Sequence, residues 1–407
     1  MSSIAEPMSG HVADDRLARR NAVVLAVAQA LAGGNSTVLF ATASILGASL
    51  APDASLATLP ISVYVVGLWC GTLPNGMLTR RFGRRTAYQT GTAWGVLTGL
   101  ICCVATLQGS FTLLCLGAFF SGLYAAAHQA YRFGAADTAS DAFRPKAISW
   151  VLTGGVFAGL IGPQLVIFTK ELWAPYLFAA SYLGQAALAF LSAIVLTRFR
   201  AAPVKVSAAA TPPGRPITAI LRQPRFLVAV VCGVASFGIM NFMMTAAPLA
   251  MVMCQHSVSD AALGIQWHVI GMYAPSFITG SLIVRFGVER VIGVGLVLIF
   301  ASGIVGLAGI TVGHFWVALT LLGVGWNFGF IGATAMVTQC HRPHERATVQ
   351  SFNDFLVFGT MAIASFSSGS LLAHFGWTAV NLVVLPVMVI AGGLLLLLAI
   401  REPIRAA

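Results

Sequence analysis

The chain has 407 residues, of which 58% are hydrophobic and only 9% are charged. Soluble globular proteins carry about 25% charged residues, so this composition excludes a soluble protein and indicates one that lies largely inside a membrane. The net charge of +11 would also suit a nucleic-acid partner, but the positions of the basic residues, given below, exclude one.

The chain begins with a polar tail and then runs through a series of apolar stretches. The tail, residues 1–21, carries charges of both signs and lacks the apolar core of a signal peptide. Each apolar stretch is long enough to cross a bilayer core of about 30 Å. We call these stretches spans 1 to 12, in chain order: 22–48, 58–79, 86–107, 110–133, 147–168, 174–197, 226–251, 261–284, 289–311, 313–337, 347–373 and 377–400.

A non-apolar segment at residues 198–225 divides the spans into two groups of six. It is rich in Ala, Pro, Lys and Arg, a composition typical of a linker. We therefore predict an all-α membrane protein with a six-helix bundle at 22–197, a cytoplasmic linker at 198–225, a second six-helix bundle at 226–400 and a cytoplasmic tail at 401–407.

The basic residues are distributed very unevenly between the two sides of the membrane. Of the 23 Lys and Arg residues, all except Lys170 lie in or beside the tails and the loops that follow even-numbered spans. Cytoplasmic loops are enriched in Lys and Arg, so we expect both termini in the cytoplasm. The basic balance reflects membrane topology and not binding to nucleic acid.

The two groups of spans share a loop motif, G-x-L-x-x-R-F-G, which begins at Gly76 after span 2 and at Gly280 after span 8. Parallel six-span repeats are typical of transporters in which two bundles rock about a site near the midplane. The first copy resembles the signature loop of the major facilitator superfamily, and the resemblance covers the whole chain. It implies the fold of that family and a conformational latch between the bundles. The latch residues would be Gly76, Arg81, Gly83, Arg84 and Arg85, with Asp354.

The latch loop departs from the family pattern at one position, where Arg80 replaces the usual Asp. Asp354, or Asp137 and Asp141, could supply the missing carboxylate. Asp354 is the only carboxylate well inside a predicted span, where ionisable groups are costly and usually functional. It could carry a coupling proton, but we favour an ion pair with Arg346 or with the latch arginines.

Two pairs of soft metal ligands lie on consecutive spans. Met240 and Met244 on span 7, and His268 and Met272 on span 8, are each spaced i, i+4 and so occupy one helical face. If the two spans form an antiparallel hairpin, the pairs lie at matching depths. Thioether and imidazole ligands in an uncharged setting suit Cu(I).

These four residues and their spacing resemble the CcoA-like copper importers of proteobacteria. The resemblance implies that Met240, Met244, His268 and Met272 bind copper as transported substrate and not as a cofactor. It also implies an importer in the bacterial inner membrane that supplies cytochrome c oxidase assembly. Its expected partners are the copper ion, membrane lipid and a cytoplasmic copper acceptor, and we expect a monomer.

Further soft ligands extend this predicted path. Met251, Met253, Cys254 and His256 lie at the outer end of span 7 and could collect copper. Cys232 could relay the ion inward, and His128 on span 4 could line the inner end. Each residue has a plainer interpretation, because methionine and cysteine commonly fill apolar cores and a membrane histidine can serve helix packing.

Other classes of function fit the sequence less well than copper import. The sequence has no phosphate loop and no nucleophile beside a base, so we expect no enzyme. A proton-coupled drug exporter would carry a fuller glycine pattern around Pro163 on span 5, and a copper-sensing receptor would not need the twelve-span repeat. The main alternative is an importer of riboflavin or another aromatic compound, because several tryptophans lie in or near spans: Trp69, Trp94, Trp150, Trp267 and Trp326.

Overall fold

The structure, a computed structural model, describes residues 15–140, 143–201, 215–342 and 345–401. Its described part is helical, without strands, which confirms the predicted all-α fold. The helices of the first half are Arg16–Leu50 (span 1), Leu59–Gln108 (spans 2 and 3), Phe111–Gln129 with Tyr131–Ala136 (span 4), Arg144–Thr169 (span 5) and Ala179–Leu196 (span 6). Those of the second half are Pro224–Met253 (span 7), Val258–Tyr273 with Ser276–Phe286 (span 8), Val288–Ala308 (span 9), Val312–Thr338 (span 10) and Arg346–Arg401 (spans 11 and 12). Two short helices, Ala54–Leu56 and Ile217–Leu221, lie between spans.

Twelve crossings of the membrane follow from these helices. Nine stretches of the described chain are long and apolar enough to cross, and a tenth is the pair that bends by 41° within span 8. Two of the stretches, Ala54–Gln108 and Phe352–Arg401, are 55 and 50 residues long. Each is broken by one glycine with non-helical dihedral angles, Gly83 or Gly376, and crosses twice.

The repeated loop motif has the same backbone conformation in both halves. Its last glycine is Gly83 in the first copy, with φ 83°, and Gly287 in the second, with φ 87°. This left-handed region is disfavoured for residues with a Cβ atom. The motif therefore ends in glycine because the chain must turn there between two consecutive spans.

Span 5 brings the two halves together along a face of small residues. A Cβ atom at Gly154 would collide with the backbone of Ala26 on span 1. On the adjoining face, a Cβ atom at Gly155 would lie 2.6 Å from the ring of Tyr273 on span 8. Gly154 and Gly155 thus allow close helix packing on two sides of span 5, as small residues do in membrane bundles.

Hydrogen bonds join the two halves on one side of the membrane. We call the side that holds Arg16 and Arg401 the terminal side, and the opposite one the far side. On the far side, Ser62 donates a hydrogen bond of 3.0 Å to Ser365, and Gln164 donates one of 2.8 Å to Gln266, each across the two halves. On the terminal side, a Cβ atom at either motif glycine, Gly76 or Gly280, would meet nothing within 4 Å. Both motif glycines are thus free of close neighbours. We call the boundary between the halves, from the midplane to the terminal side, the cleft.

The predicted latch arginines pair within their own half. Arg84 forms a bidentate ion pair with Asp137, one arm of which measures 3.1 Å, and both residues belong to the first half. Arg81 lies over the ring of Phe82, while Asp354 interacts electrostatically with Arg132 of span 4. The latch role stays a prediction. Asp141 and the side chain of Arg346 lie outside the described residues.

The end of the linker is attached to the second half. Arg215 donates hydrogen bonds of 2.8 and 2.7 Å to the carboxylate of Glu345, between spans 10 and 11. These bonds and a backbone bond from Arg342 lower the pKa of Glu345. Residues 202–214 lie outside the described part, and the domain boundaries stay a prediction.

Candidate functional site

The predicted metal ligands of span 8 face span 10. Spans 7 and 8 each pack more extensively against span 10 than against each other, whereas the predicted hairpin assumed direct pairing. The Nδ1 atom of His268 lies 2.8 Å from the carbonyl oxygen of Leu319 on span 10. A carbonyl only accepts, so Nδ1 carries the proton. Nε2 is then unprotonated and can only accept a hydrogen bond. It is buried without a hydrogen-bond partner among the described residues.

The methionine pair of span 7 lies on a face that it shares with an aromatic residue. Met240 and Met244 are both buried, and Phe237 precedes them by three and seven residues, so all three occupy one helical face. The ring of Phe237 contacts Trp326 of span 10. Within the described chain, no hydrogen bond or ring contact joins this face to the ring of His268, and the ligand role of the four residues stays a prediction.

The residues predicted to collect copper at the outer end of span 7 have different neighbours. Met251 is buried, and its sulfur would lie 3.4 Å from a Cβ atom at Gly264 of span 8, whereas Met253 is exposed. The Nε2 atom of His256 lies 2.6 Å from the carbonyl oxygen of Ile310. The structure therefore does not bring these side chains together around one point.

The cysteines of this path are also apart. Cys254 is half-buried at the end of span 7, and the Cys232 sulfur lies 3.9 Å from the carbonyl oxygen of Ala391 on span 12. Within the described ranges, no three His, Cys, Asp or Glu side chains cluster closely enough to hold a metal ion. The relay role of Cys232 stays a prediction.

Aromatic side chains from four spans of the second half converge near the middle of the membrane. We call them the aromatic group: Phe237, Tyr273, Trp326, Phe330 and Phe358. Trp326 and Phe330 are stacked, with centroids 5.4 Å apart and planes at 17°. Phe237 stands edge-on to both, at 5.4 and 4.8 Å. Each residue lies near the midpoint of its span, where the superfamily resemblance places a substrate site.

The aromatic group offers flat apolar surfaces and one free polar atom. The Nε1–H group of Trp326 is buried and lacks a hydrogen-bond partner among the described residues. A buried donor of this kind costs free energy unless something accepts its hydrogen bond. Tyr273, Phe330 and Phe358 are half-buried and so keep accessible surface. This arrangement suits a planar aromatic ligand that carries acceptor atoms on its edge.

Polar side chains from spans 1, 2 and 4 form a connected row in the first half, which we call the polar row: Gln29, Ser36, Tyr64 and His128. The amide nitrogen of Gln29 lies 3.4 Å from Nδ1 of His128, and the hydroxyl of Ser36 lies 3.4 Å from Nε2. Ser36 also lies near the hydroxyl group of Tyr64. His128, predicted to line an inner path, is thus held in a network of neutral groups.

Tyr273 links the two groups across the cleft. It lies near Tyr64 of the polar row and near Arg132, one turn beyond His128. Asp354 of span 11 is accessible at the surface and interacts with the same arginine. The cleft therefore has an aromatic wall, a polar wall and a pair of opposite charges toward the terminal side.

Sequence reasoning identified only part of this site. His128, Asp354 and Trp326 were among the candidates, whereas Gln29, Ser36 and Tyr273 were not. Gln29 carried a usable signal, because a glutamine within an apolar span needs a hydrogen-bond partner. The partners of Tyr273 come from spans far apart in sequence, so no local pattern could identify it.

An apolar groove elsewhere on the protein is unsuited to a polar substrate. It runs between spans 9 and 12, and Leu296, Phe300 and Met388 are among its lining residues. Neighbouring side chains such as Val297 and Val389 are exposed, as expected for a surface in contact with lipid. We therefore place the candidate site in the cleft.

Comparisons with known proteins identify the family. The family model for the Major Facilitator Superfamily matches residues 25–270 and 255–407. A riboflavin transporter of Brucella anthropi, RfnT, is 49% identical over 376 residues, which cover 92% of this chain and 94% of that protein. Among solved structures, the nucleoside transporter NupG has a TM-score of 0.70 at 14% identity, covering 94% of this chain and 98% of that one. A bacterial homologue of the human lysosomal transporter Spinster has a TM-score of 0.70 at 17% identity, covering 94% and 96%.

The prediction of copper import is wrong in the light of these comparisons. A relative that aligns with nearly the whole chain is a riboflavin transporter, whereas the copper prediction depended on four residues. Soft side chains at i, i+4 spacing occur wherever a helix face is buried, because methionine fills apolar cores well. The spacing therefore cannot separate a metal site from packing. The comparison favours the alternative that we gave, an importer of riboflavin or another aromatic compound.

Proposed function

The chain belongs to the major facilitator superfamily, and on this basis we propose that it is a secondary transporter of riboflavin. The observation that carries the proposal is the 49% identity to a riboflavin transporter over 92% of this chain. Identity at this level over whole chains supports a shared substrate class. The chemistry of the cleft supports the same choice independently.

The aromatic group matches the ring system of a flavin. The isoalloxazine ring is planar, apolar on both faces and bordered by carbonyl and nitrogen acceptors. Stacked Trp326 and Phe330 provide a flat surface, and the free Nε1–H of Trp326 provides a donor for an acceptor on the ring edge. Stacking of a heteroaromatic base on an aromatic side chain contributes about 1–3 kcal/mol, enough to select flavins over sugars.

We also propose the direction and the location. The excess of Lys and Arg on the terminal side supports a cytoplasmic position for both termini, in the bacterial inner membrane. The cleft would then face the cytoplasm in this conformation, after the Gln164–Gln266 and Ser62–Ser365 contacts have closed the far side. Import would proceed by alternating access, as rocking of one half against the other about the central site.

A direct test is growth and uptake in a bacterium that can neither make nor import riboflavin. We expect the protein to restore growth at micromolar riboflavin and to take up labelled riboflavin, and excess unlabelled riboflavin should compete. Excess uridine should not compete, although the fold is shared with a nucleoside transporter. Failure to restore either growth or uptake, with the protein detected in the membrane, would refute the proposal.

The methionine pair of span 7 offers a second test. We expect Met240→Leu/Met244→Leu to keep riboflavin uptake within about threefold of wild type, because a Met-to-Leu exchange in a core is nearly volume-conserving. The measurement is the initial uptake rate, normalised to protein in the membrane. Cellular copper, measured by mass spectrometry in the same cells, should not change on expression of the wild type or the variant. A rise in copper that needs the two thioethers would contradict the assignment of riboflavin as sole substrate.

A further inference from the structure

We propose that the polar row binds the hydroxylated side chain of the flavin, while the aromatic group holds its ring; this rests on the proposed function. The row would then determine which flavins are transported, by selecting a neutral polyhydroxyl chain. No part of this assignment depends on the metal-ligand prediction.

The hydrogen-bond directions within the row leave capacity for a ligand. The amide nitrogen of Gln29 can only donate, so Nδ1 of His128 accepts and its Nε2 carries the proton toward Ser36. His128 is therefore the neutral tautomer with both ring nitrogens engaged. Gln29 retains its carbonyl oxygen as an acceptor, and the hydroxyls of Ser36 and Tyr64 each accept as well as donate. Such alternation of donors and acceptors matches a chain of hydroxyl groups.

The bonds within the row are long enough to be exchanged. Both contacts of His128 measure 3.4 Å, beyond the 2.7–3.2 Å typical of N–H···O bonds. A substrate hydroxyl at ordinary distance would replace a weak bond by a stronger one. Gln29, Ser36 and His128 each keep 7% of their surface accessible, so they lie at the edge of the packed interior.

The position of the row fits a ligand that extends from the aromatic wall. Gln29 and Ser36 are seven residues apart on span 1, or about 10 Å along a helix, and both lie near its midpoint. Tyr64 at one end lies near Tyr273 of the aromatic group. A ring held by the aromatic group could therefore place its side chain along the row without leaving the cleft.

The charges near the row disfavour a phosphorylated side chain. All four members of the row are neutral, and burial of an anion against neutral groups is costly. Arg132, one turn from His128, lies near the carboxylate of Asp354, which offsets the attraction of the guanidinium for a phosphate. The row should thus accept riboflavin and reject its 5′-phosphate.

The test compares riboflavin with lumiflavin, which has the same ring but a methyl group in place of the polyol chain. We expect Ser36→Ala to raise the KM for riboflavin by about three- to tenfold, the effect of one lost hydrogen bond. Inhibition by lumiflavin should stay within about twofold of wild type. His128→Phe should act more strongly than Ser36→Ala on riboflavin and equally little on lumiflavin, and His128→Gln should recover part of the loss. Riboflavin 5′-phosphate should compete at least about tenfold more weakly than riboflavin.

The outcomes separate this assignment from the proposed function. If wild type transports riboflavin and Ser36→Ala weakens riboflavin and lumiflavin equally, the row is structural and the assignment is overturned. The same conclusion follows if Ser36→Ala changes neither. If His128→Phe is absent from the membrane, Gln29→Met, which keeps length and removes both amide groups, decides in its place. If wild type transports no flavin at all, both the proposed function and this assignment are refuted.

Discussion

Replacement of Trp326 by Leu is expected to reduce riboflavin uptake to less than about a tenth of the wild-type rate. Leucine fills the space beside Phe330 but removes both the flat surface and the free Nε1–H donor. Loss of stacking alone costs about 1–3 kcal/mol, or about five- to more than a hundredfold in affinity. The measurement is the initial uptake rate over a range of riboflavin concentrations, with the amount of protein in the membrane determined in parallel.

Two controls separate recognition from folding. Trp326→Phe keeps a smaller flat ring and loses the N–H group, so uptake should fall by about three- to tenfold, an intermediate effect. Trp94 on span 3 stacks on Phe120 at 5.3 Å and 12°, a similar geometry away from the aromatic group. Trp94→Leu should therefore leave the KM for riboflavin within about twofold. An equal effect of Trp94→Leu and Trp326→Leu would mean that the loss reflects bundle stability and not substrate binding.

The architecture could be predicted from the sequence because the bilayer constrains each span locally. A segment in hydrocarbon must satisfy its own backbone hydrogen bonds, so an apolar stretch of sufficient length already implies a helix. The loop motif also had a local cause, since Gly83 and Gly287 adopt dihedral angles that favour glycine. These features do not depend on which spans are in contact, so they could be predicted from the sequence alone.

The candidate site could not be predicted in the same way, because it depends on contacts between distant spans. The polar row joins Gln29 to His128, and the aromatic group joins Phe237 to Phe358. Helical periodicity places a residue on a face but does not identify the span opposite that face. A hairpin of spans 7 and 8 would place Met244 opposite His268 only if consecutive spans were the closest neighbours, whereas span 10 packs against both.

The substrate was predicted wrongly for a chemical reason. Methionine serves as a metal ligand, as a packing residue and as a partner of aromatic rings, and its sulfur attracts ring edges with a contribution of about 0.3–1.5 kcal/mol. Met240 and Met244 share a face with Phe237, beside the aromatic group. The same side chains therefore fit beside a flavin ring as well as they fit a copper ion, and the spacing alone could not separate the two.

Neutralisation of either member of the charge pair Arg132 and Asp354 is expected to reduce riboflavin uptake to less than about a tenth of wild type. The two residues lie on opposite halves and interact across the cleft. Rocking of the halves must change their separation, so the energy of the pair differs between the two states of the cycle. Removal of the Asp354 charge leaves the half-buried Arg132 without its nearby counter-charge, and removal of Arg132 abolishes the attraction between the halves. The measurement is the initial uptake rate of Arg132→Gln and of Asp354→Asn.

A charge exchange distinguishes coupling between the halves from a local effect. Arg132→Asp combined with Asp354→Arg should recover at least about a third of the wild-type rate, because the attraction across the cleft is restored. The matched control is the pair Arg84 and Asp137, whose members both belong to the first half and move together. Asp137→Asn should therefore leave uptake within about threefold, as removal of an accessible ion pair usually has a small effect. If Asp137→Asn proves as damaging as Asp354→Asn while the exchange variant stays inactive, the charges of span 4 act within one half, and the cleft pair has no role in the cycle.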